Sequence, residues 1–206
     1  MNHETLKLEK QKIRKTVLAA REQLSLAARA TCDAKITEQI LQLNQYKQSD
    51  TILGYMNFGS EFASEQWVAR ILADGKRLIL PRVNRHTNHL DLYQIEDLDT
   101  QLETGLWGIR EPVIERCERL IEINEVEFVL LPGIAFSRDG ARLGYGGGFY
   151  DKLLAPLKAQ DSRPALVAAG FALQIINQIP QEETDVKVQW IVTEKETVDC
   201  STQGNR

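Results

Sequence analysis

The sequence predicts an α/β fold: a single layered domain with a mainly parallel sheet flanked by helices and preceded by an N-terminal helical pair. Three observations carry this reading. From residue 51 onward, apolar runs of strand length alternate with helix-period segments. One run, "VEFVLLPG", is continuously apolar, as a strand covered on both faces requires. No internal repeat and no linker composition interrupts the chain.

The helical pair comes first. Leu6, Ile13, Val17, Leu18 and Leu24 recur at helical intervals among charged residues, which gives an amphipathic helix. Ser25 is a good N-cap for a second helix, in which Ile36, Ile40 and Leu43 form the buried stripe. The first strand is read as "TILGYMNF", residues 51–58, followed by "GSE" and the helical pattern "SEQWVARILADG", which Gly75 ends. "KRLILPRV" and "LDLYQI" are the next strands, joined by the polar "RHTNH". "LETGLWGIREPV" lacks periodicity and reads as an ordered surface loop that packs over a site. After "VEFVLLPG" come a glycine-rich loop, a helix from about Gly147 to Leu157, the strand "ALVAAGF", a short helix "ALQIINQIP" and the strand "VQWIVTE". Residues 1–198 are expected to form one domain and 199–206 a flexible tail.

At 206 residues the chain is long enough to hide roughly 70% of the surface it exposes unfolded, so its core needs no staples. Hydrophobic residues make up 43% and charged residues 26%, as in an ordinary globular protein. A net charge of -4 argues against nonspecific nucleic-acid binding, which calls for a basic excess. The three cysteines, Cys32, Cys117 and Cys200, are far apart and lack CxxC spacing, which fits free thiols in a reducing compartment. No apolar stretch has signal-peptide character or approaches the roughly 20 residues of a membrane span. A cytoplasmic protein with no membrane partner is expected; the oligomeric state stays open, and a monomer is compatible.

The segment "RLGYGGGFYDK", Arg142 to Lys152, carries the chemistry. Glycines let backbone amides converge on an anion, and they also build tight turns; a run of three fits either use. The Walker string GxxxxGK[ST] is absent, and Phe149 occupies the last glycine position of GxGxxG. The loop also begins about ten residues beyond its strand, too far for a dinucleotide turn. The flanks favour phosphate: Arg142 offers a bidentate phosphate partner, and Asp151 is a hard oxygen ligand suited to Mg²⁺. Arginine, glycine cradle and carboxylate together supply the main parts of a Mg-nucleotide site.

"LLPGIAFSRDGARLGYGGGFYDKLL" closely resembles the signature of the 5-formyltetrahydrofolate cyclo-ligase family, also called methenyltetrahydrofolate synthetases. Further landmarks follow in the family's order: "KQKIR" at 10–14 with Arg21 and "LS" at 24–25, then "YMNFGSEFASE", "GLWGIREP" and "ETDVKVQWIVTE". Together they span about residues 6 to 194. The resemblance implies an enzyme that uses ATP and Mg²⁺ to close 5-formyltetrahydrofolate into 5,10-methenyltetrahydrofolate. ATP would phosphorylate the formyl oxygen; a neighbouring folate amine would then attack the activated carbon, and phosphate would leave.

Carried over residue by residue, the resemblance implies that Lys10, Gln11, Lys12, Ile13 and Arg14 contact ATP. Arg142, Leu143, Gly144, Tyr145, Gly146, Gly147, Gly148, Phe149 and Tyr150 would cradle its phosphates. Met56 and Glu61 would contact folate, together with the Tyr145–Phe149 stretch. Asp151 and Asp185 would ligate Mg²⁺, and Arg142 and Asp151 would be the catalytic pair. Without the resemblance, the basic residues fit a solvated helix face, Glu61 a first-turn glutamate and Asp185 a turn or cap residue, while Trp107 either shapes the pocket or is a core tryptophan.

Three departures from the family pattern stand out. Phe149 occurs where many relatives have tyrosine, Gln189 where an acidic residue is common, and Tyr145 and Gly147 where some relatives carry basic side chains. His86 and His89 have HxxH spacing without a third ligand, and no GxSxG elbow occurs, so a hydrolase is not supported. A non-enzymatic nucleotide- or folate-binding relative is the principal alternative. A sugar-phosphate enzyme on a related scaffold would leave the N-terminal basic motif unexplained.

Overall fold

The computed structural model describes residues 3–120, 122–159 and 164–201. The chain opens with α1 (His3–Glu22), α2 (Leu26–Gln42) and α3 (Asn44–Gln48). Ser25 caps α2 as expected, its Oγ accepting the Ala28 N–H at 3.2 Å; such a cap contributes about 1 kcal/mol. Ile36 and Ile40 on α2 are fully buried. Then follow β1 (Thr51–Leu53), α4 (Glu65–Ala73), β2 (Arg77–Asn84), β3 (His89–Ile95), α5 (Leu98–Gln101), β4 (Leu102–Thr104), β5 (Arg110–Pro112) and β6 (Glu118–Leu120). The second half contains β7 (Phe128–Leu131), β8 (Ala135–Ser137), β9 (Arg142–Leu143), α6 (Phe149–Leu154), β10 (Ala165–Ala169), β11 (Ile175–Ile176), β12 (Trp190–Val192) and β13 (Thr197–Asp199).

An eight-stranded sheet in the order β13-β12-β10-β7-β1-β2-β3-β6 forms the centre. Its inner strands β12, β10, β7, β1 and β2 pair in parallel; β13 at one edge and β3 and β6 at the other are antiparallel. The mainly parallel sheet is therefore borne out, and "VEFVLLPG" supplies β7, whose four residues are all 0% exposed. Burying each such side chain contributes roughly 2 kcal/mol, which makes β7 and its neighbour β1 a rigid platform.

Chain direction across this platform creates a crevice. From β1 the chain moves to β2 on one side, and it later returns through β7 on the other side of β1. Connections leaving the carboxyl ends of β1 and β7 thus diverge, and open α/β sheets bind ligands at such a switch point. A smaller sheet, β11-β8-β9, stands beside it. Val17 of α1 packs into the apolar cluster of Ile134, Ala135 and Leu143, which seats α1 against this smaller sheet.

Several expectations need correction. The first strand ends at Leu53 rather than residue 58: Gly54 N–H makes the last bond to β2, at 2.9 Å to the Ile79 carbonyl, and Gly54 packs against the Trp67 ring, where a Cβ would sit at 3.1 Å. Tyr55 to Phe58 then leave the ladder, and Ser64 Oγ holds the Tyr55 carbonyl at 2.6 Å. "LETGLWGIREPV" is a hairpin of β4 and β5 with Trp107 at its tip in a left-handed conformation, φ 58°. "ALQIINQIP" is not a helix: a single 3-10 turn leads into β11, because the buried Gln174 amide donates to the Gly133 and Ile134 carbonyls. The helix expected to reach Leu157 ends as α-helix at Leu154 and tightens into a 3-10 turn containing Pro156, whose ring lacks the N–H an α-helix needs. Asp199 and Cys200, expected in the flexible tail, belong to the folded domain instead: Asp199 pairs with Trp190 and Cys200 is buried. Residues 202–206 lie outside the described residues.

Candidate active site

The crevice opens into a cavity of about 1030 Å³, large for a single drug-sized ligand. Tyr55, Met56, Phe58 and Glu61 enter from the segment after β1, Pro132 from the end of β7, and the glycine loop from the end of β9. Two corners differ in chemistry.

The first corner is the glycine loop. Gly146 and Gly148 hold φ of 105° and 64°, which disfavour any side chain. Arg14 crosses from α1: its Nε donates to the Gly144 carbonyl at 2.8 Å, and its guanidinium lies where a Gly146 Cβ would be 3.5 Å from Nη2. A helix-borne cation therefore borders the loop that lacks its own. Burial lowers the Arg14 pKa and nearby Asp185 opposes that shift.

Behind the loop, the remaining charges are paired. Lys10, 8% exposed, donates to Glu182 and Asp185, both at 2.9 Å. Burial disfavours its ammonium, but these two carboxylates outweigh the penalty and raise its pKa. Arg142 Nη2 donates to Asp151 Oδ1 at 3.0 Å and Nη1 to the Pro132 carbonyl at 3.3 Å. Asp151 Oδ1 also accepts the Val186 N–H at 3.2 Å, which brings Asp151 beside the segment carrying Asp185.

Of the five residues expected from α1, Lys10 and Arg14 line the cavity, four positions apart on one helix face. Gln11 and Lys12 are exposed elsewhere, and Ile13 packs against the Val17 cluster. Arg142 differs from the free phosphate arm expected: its side chain is only 4% exposed and its hydrogen bonds go to Asp151 and backbone. It fixes Asp151 more directly than it presents itself to a ligand. The rest of the predicted cradle, Leu143 to Tyr150, borders the cavity, as do Met56, Glu61, Asp151 and Asp185. Gln189 bridges strands instead, its side chain accepting the Leu166 N–H at 2.9 Å. His86 and His89 are exposed, and among the described residues no group of three or more His, Cys, Asp or Glu forms a metal cluster.

The second corner is buried. Glu61 is 6% exposed and accepts the Phe58 N–H at 2.8 Å. Burial raises its pKa, while that N–H, the charge of Arg21 and the Tyr145 hydroxyl pull it back. Tyr55 places a buried hydroxyl without a protein partner in the same corner, and burial raises its pKa strongly.

A model of the 5-formyltetrahydrofolate cyclo-ligase family matches residues 6–194. The chain belongs to that family. It is 30% identical over 175 residues to the 5-formyltetrahydrofolate cyclo-ligase of Mus musculus, covering 83% of this chain and 86% of that one. Against the Haemophilus influenzae enzyme of the same name, identity is 27% over 178 residues, covering 86% and 94%. The NMR structure of Aquifex aeolicus 5,10-methenyltetrahydrofolate synthetase superimposes with a TM-score of 0.80 at 30% identity, covering 96% of this chain and 94% of that one. A Mycoplasma pneumoniae synthetase shares the fold with a TM-score of 0.70 at 20% identity.

Within this cyclo-ligase scaffold, sequence reasoning missed Tyr55, Phe58, Lys152 and Glu182 as cavity residues, and it left out Trp107. Trp107 is 65% exposed at its hairpin tip, so the core reading fails. A partial signal was present for it: a tryptophan flanked by glycines in an aperiodic stretch. Tyr55 and Phe58 lay inside a run read as strand, which concealed them.

Proposed function

We propose that this cyclo-ligase family member uses ATP and Mg²⁺ to convert 5-formyltetrahydrofolate into 5,10-methenyltetrahydrofolate, ADP and phosphate, as a cytoplasmic enzyme of one-carbon metabolism. The observation that carries the proposal is that a glycine cradle bordered by Arg14 and a buried Glu61 face one continuous cavity. Two reactants held side by side gain most of what phosphoryl transfer asks of a protein, namely position and charge neutralisation.

In this reading Gly144 to Gly148 let the triphosphate approach the backbone, and Lys10 and Arg14 neutralise it. Lys10 would exchange part of its contact with Glu182 and Asp185 for phosphate. Glu61 would accept hydrogen bonds from the amino and ring N–H groups of the pterin, and Met56 would pack beside it. That arrangement sets the formyl oxygen against the transferable phosphoryl group. Once the oxygen is phosphorylated, the folate amine closes on the formyl carbon and phosphate departs.

The residues present fit Mg²⁺. Asp151 and Asp185 are hard oxygen donors with side chains 25% and 21% exposed on the cavity wall. Mg²⁺ needs only one or two carboxylates when water and phosphate complete its shell, so the absence of a larger acidic cluster among the described residues is compatible. Bound there, the metal would supply charge neutralisation to the phosphates; Arg142 holds the Asp151 carboxylate in place by its 3.0 Å contact. No helix among the described residues is long and apolar enough to cross a membrane.

Incubating the purified protein with 5-formyltetrahydrofolate and Mg-ATP tests the proposal. Methenyl product, followed by absorbance, should accumulate with one ADP per product. Binding of both ligands without product would make the chain a binding protein instead.

A further inference from the structure

Behind the cavity wall, in contact with Tyr145, which lines the cavity, and with Ser60, next to Glu61, lies a charged group that the proposed reaction does not use. Arg21, from the last turn of α1, is 1% exposed and reaches two separate walls. Its Nε donates to Ser60 Oγ at 2.9 Å, next to Glu61. Its Nη2 donates to the Tyr145 hydroxyl at 2.9 Å, in the glycine loop. Nη1 is buried with no acceptor, and no carboxylate forms an ion pair with this guanidinium among the described residues. A buried cation without a counter-ion is costly, so a group that it stabilises at a distance should be sought.

Glu61 is that group. The Tyr145 hydroxyl accepts from Arg21 and keeps its own proton to offer the Glu61 carboxylate, which lies within its electrostatic reach. Phe58, whose N–H also binds Glu61, packs edge-on against Tyr145 with centroids 5.7 Å apart. We propose that Arg21 is a positioning residue for folate: through Tyr145 and Ser60 it fixes the place of the Glu61 carboxylate and ties it to the glycine loop. The inference rests on Glu61 being the folate partner. The groups facing Glu61 are Arg21 from α1, Tyr55 from the segment after β1, Tyr145 from the loop and Tyr150 from α6. Arg21 is the one cation among them, since the three phenols stay neutral with their pKa values raised, chiefly by burial.

Steady-state kinetics across pH provide the test. Arg21→Met should raise KM for 5-formyltetrahydrofolate about 10-fold or more, the loss expected for one charge-assisted contact. The acid limb of kcat/KM for folate should move to higher pH, with KM for ATP changed far less. Arg21→Lys keeps the charge but not the two-walled fork, so the acid limb should stay near wild type while folate KM still rises. Tyr145→Phe, which removes both the acceptor of Arg21 Nη2 and the hydroxyl offered to Glu61 but keeps the Arg21 charge, should shift the limb in the same direction by a smaller amount. These two variants decide the matter if Arg21→Met fails to fold. Glu61→Gln separates the two proposals: unchanged folate KM there would overturn the reading of Glu61 itself. Loss of folate binding in Glu61→Gln, combined with wild-type folate KM and acid limbs in the Arg21 and Tyr145 variants, would overturn the role of Arg21 alone.

Discussion

The two corners of the cavity solve opposite electrostatic problems. In the glycine-loop corner, Lys10 and Arg142 already have carboxylate partners, and Asp151 and Asp185 remain about a quarter exposed or less. Cations held in short internal pairs can pass part of their contacts to an incoming anion. In the Glu61 corner, a carboxylate and a guanidinium are both buried without touching, and tyrosine hydroxyls fill the space around them. The first corner holds its charges in short pairs on the cavity wall. The second holds two fixed, buried charges, linked by the tyrosine and serine hydroxyls between them.

Substitutions on each side should break this contrast in distinguishable ways. Asp151→Asn should have the largest effect, a fall in kcat on the order of 100-fold, comparable to losing one preorganised electrostatic group. Asn keeps an acceptor for the Val186 N–H, so circular dichroism should report an intact fold. An activity near wild type would remove Asp151 from the metal assignment.

Glu61→Gln should come next, weakening folate binding roughly 10- to 100-fold through loss of charge-assisted hydrogen bonds, with KM for ATP nearly unchanged. It also carries a stability prediction. Burial raises the Glu61 pKa above its ordinary 4.5, so the folded protein holds that proton more tightly than the unfolded chain. Wild-type stability should therefore fall relative to Glu61→Gln as pH rises above 4.5 and through the raised value. Thermal melts of both proteins at acid and neutral pH read this difference; a wild-type stability that stays constant or rises relative to Glu61→Gln with rising pH would refute it.

Gly146→Ala tests the cradle without touching charge. Its φ of 105° is hostile to a Cβ, at a cost of about 1–2 kcal/mol, so KM for ATP should rise about 10-fold. Folate affinity, measured by equilibrium binding without nucleotide, should change little. The smallest effect is expected for Phe149→Tyr. The Phe149 ring lies against Gly147 and under the Lys152 ammonium at 5.8 Å, roles that a tyrosine ring also fills. Turnover should change less than about threefold; a large gain would show that this chain lacks a catalytic hydroxyl.

Parts of this site were legible because their signals are local. The glycine run, the adjacent Arg142 and Asp151, and the Lys10–Arg14 spacing all lie within single segments, where backbone permissiveness and helical period fix neighbours. The apolar run of β7 likewise announced its own burial. Tyr55 was hidden because the apolar run continues past Gly54, the last residue to bond to β2, while the Tyr55 carbonyl turns to Ser64 Oγ instead. The hairpin carrying Trp107 has too few residues per strand for alternation to register.

Sequence by itself determined the fold class, the family and the position of the glycine loop, since each is written in short-range pattern or in the order of motifs along the chain. Only the tertiary structure decided what the charges do. Arg142 became a partner of Asp151, Lys10 met residues 172 and 175 positions away, and Arg21 reached Tyr145 across 124 positions. Such contacts depend on how α1 seats against the β8–β9 wall and where β1 and β7 diverge. Those are properties of packed layers, and no local spacing encodes them.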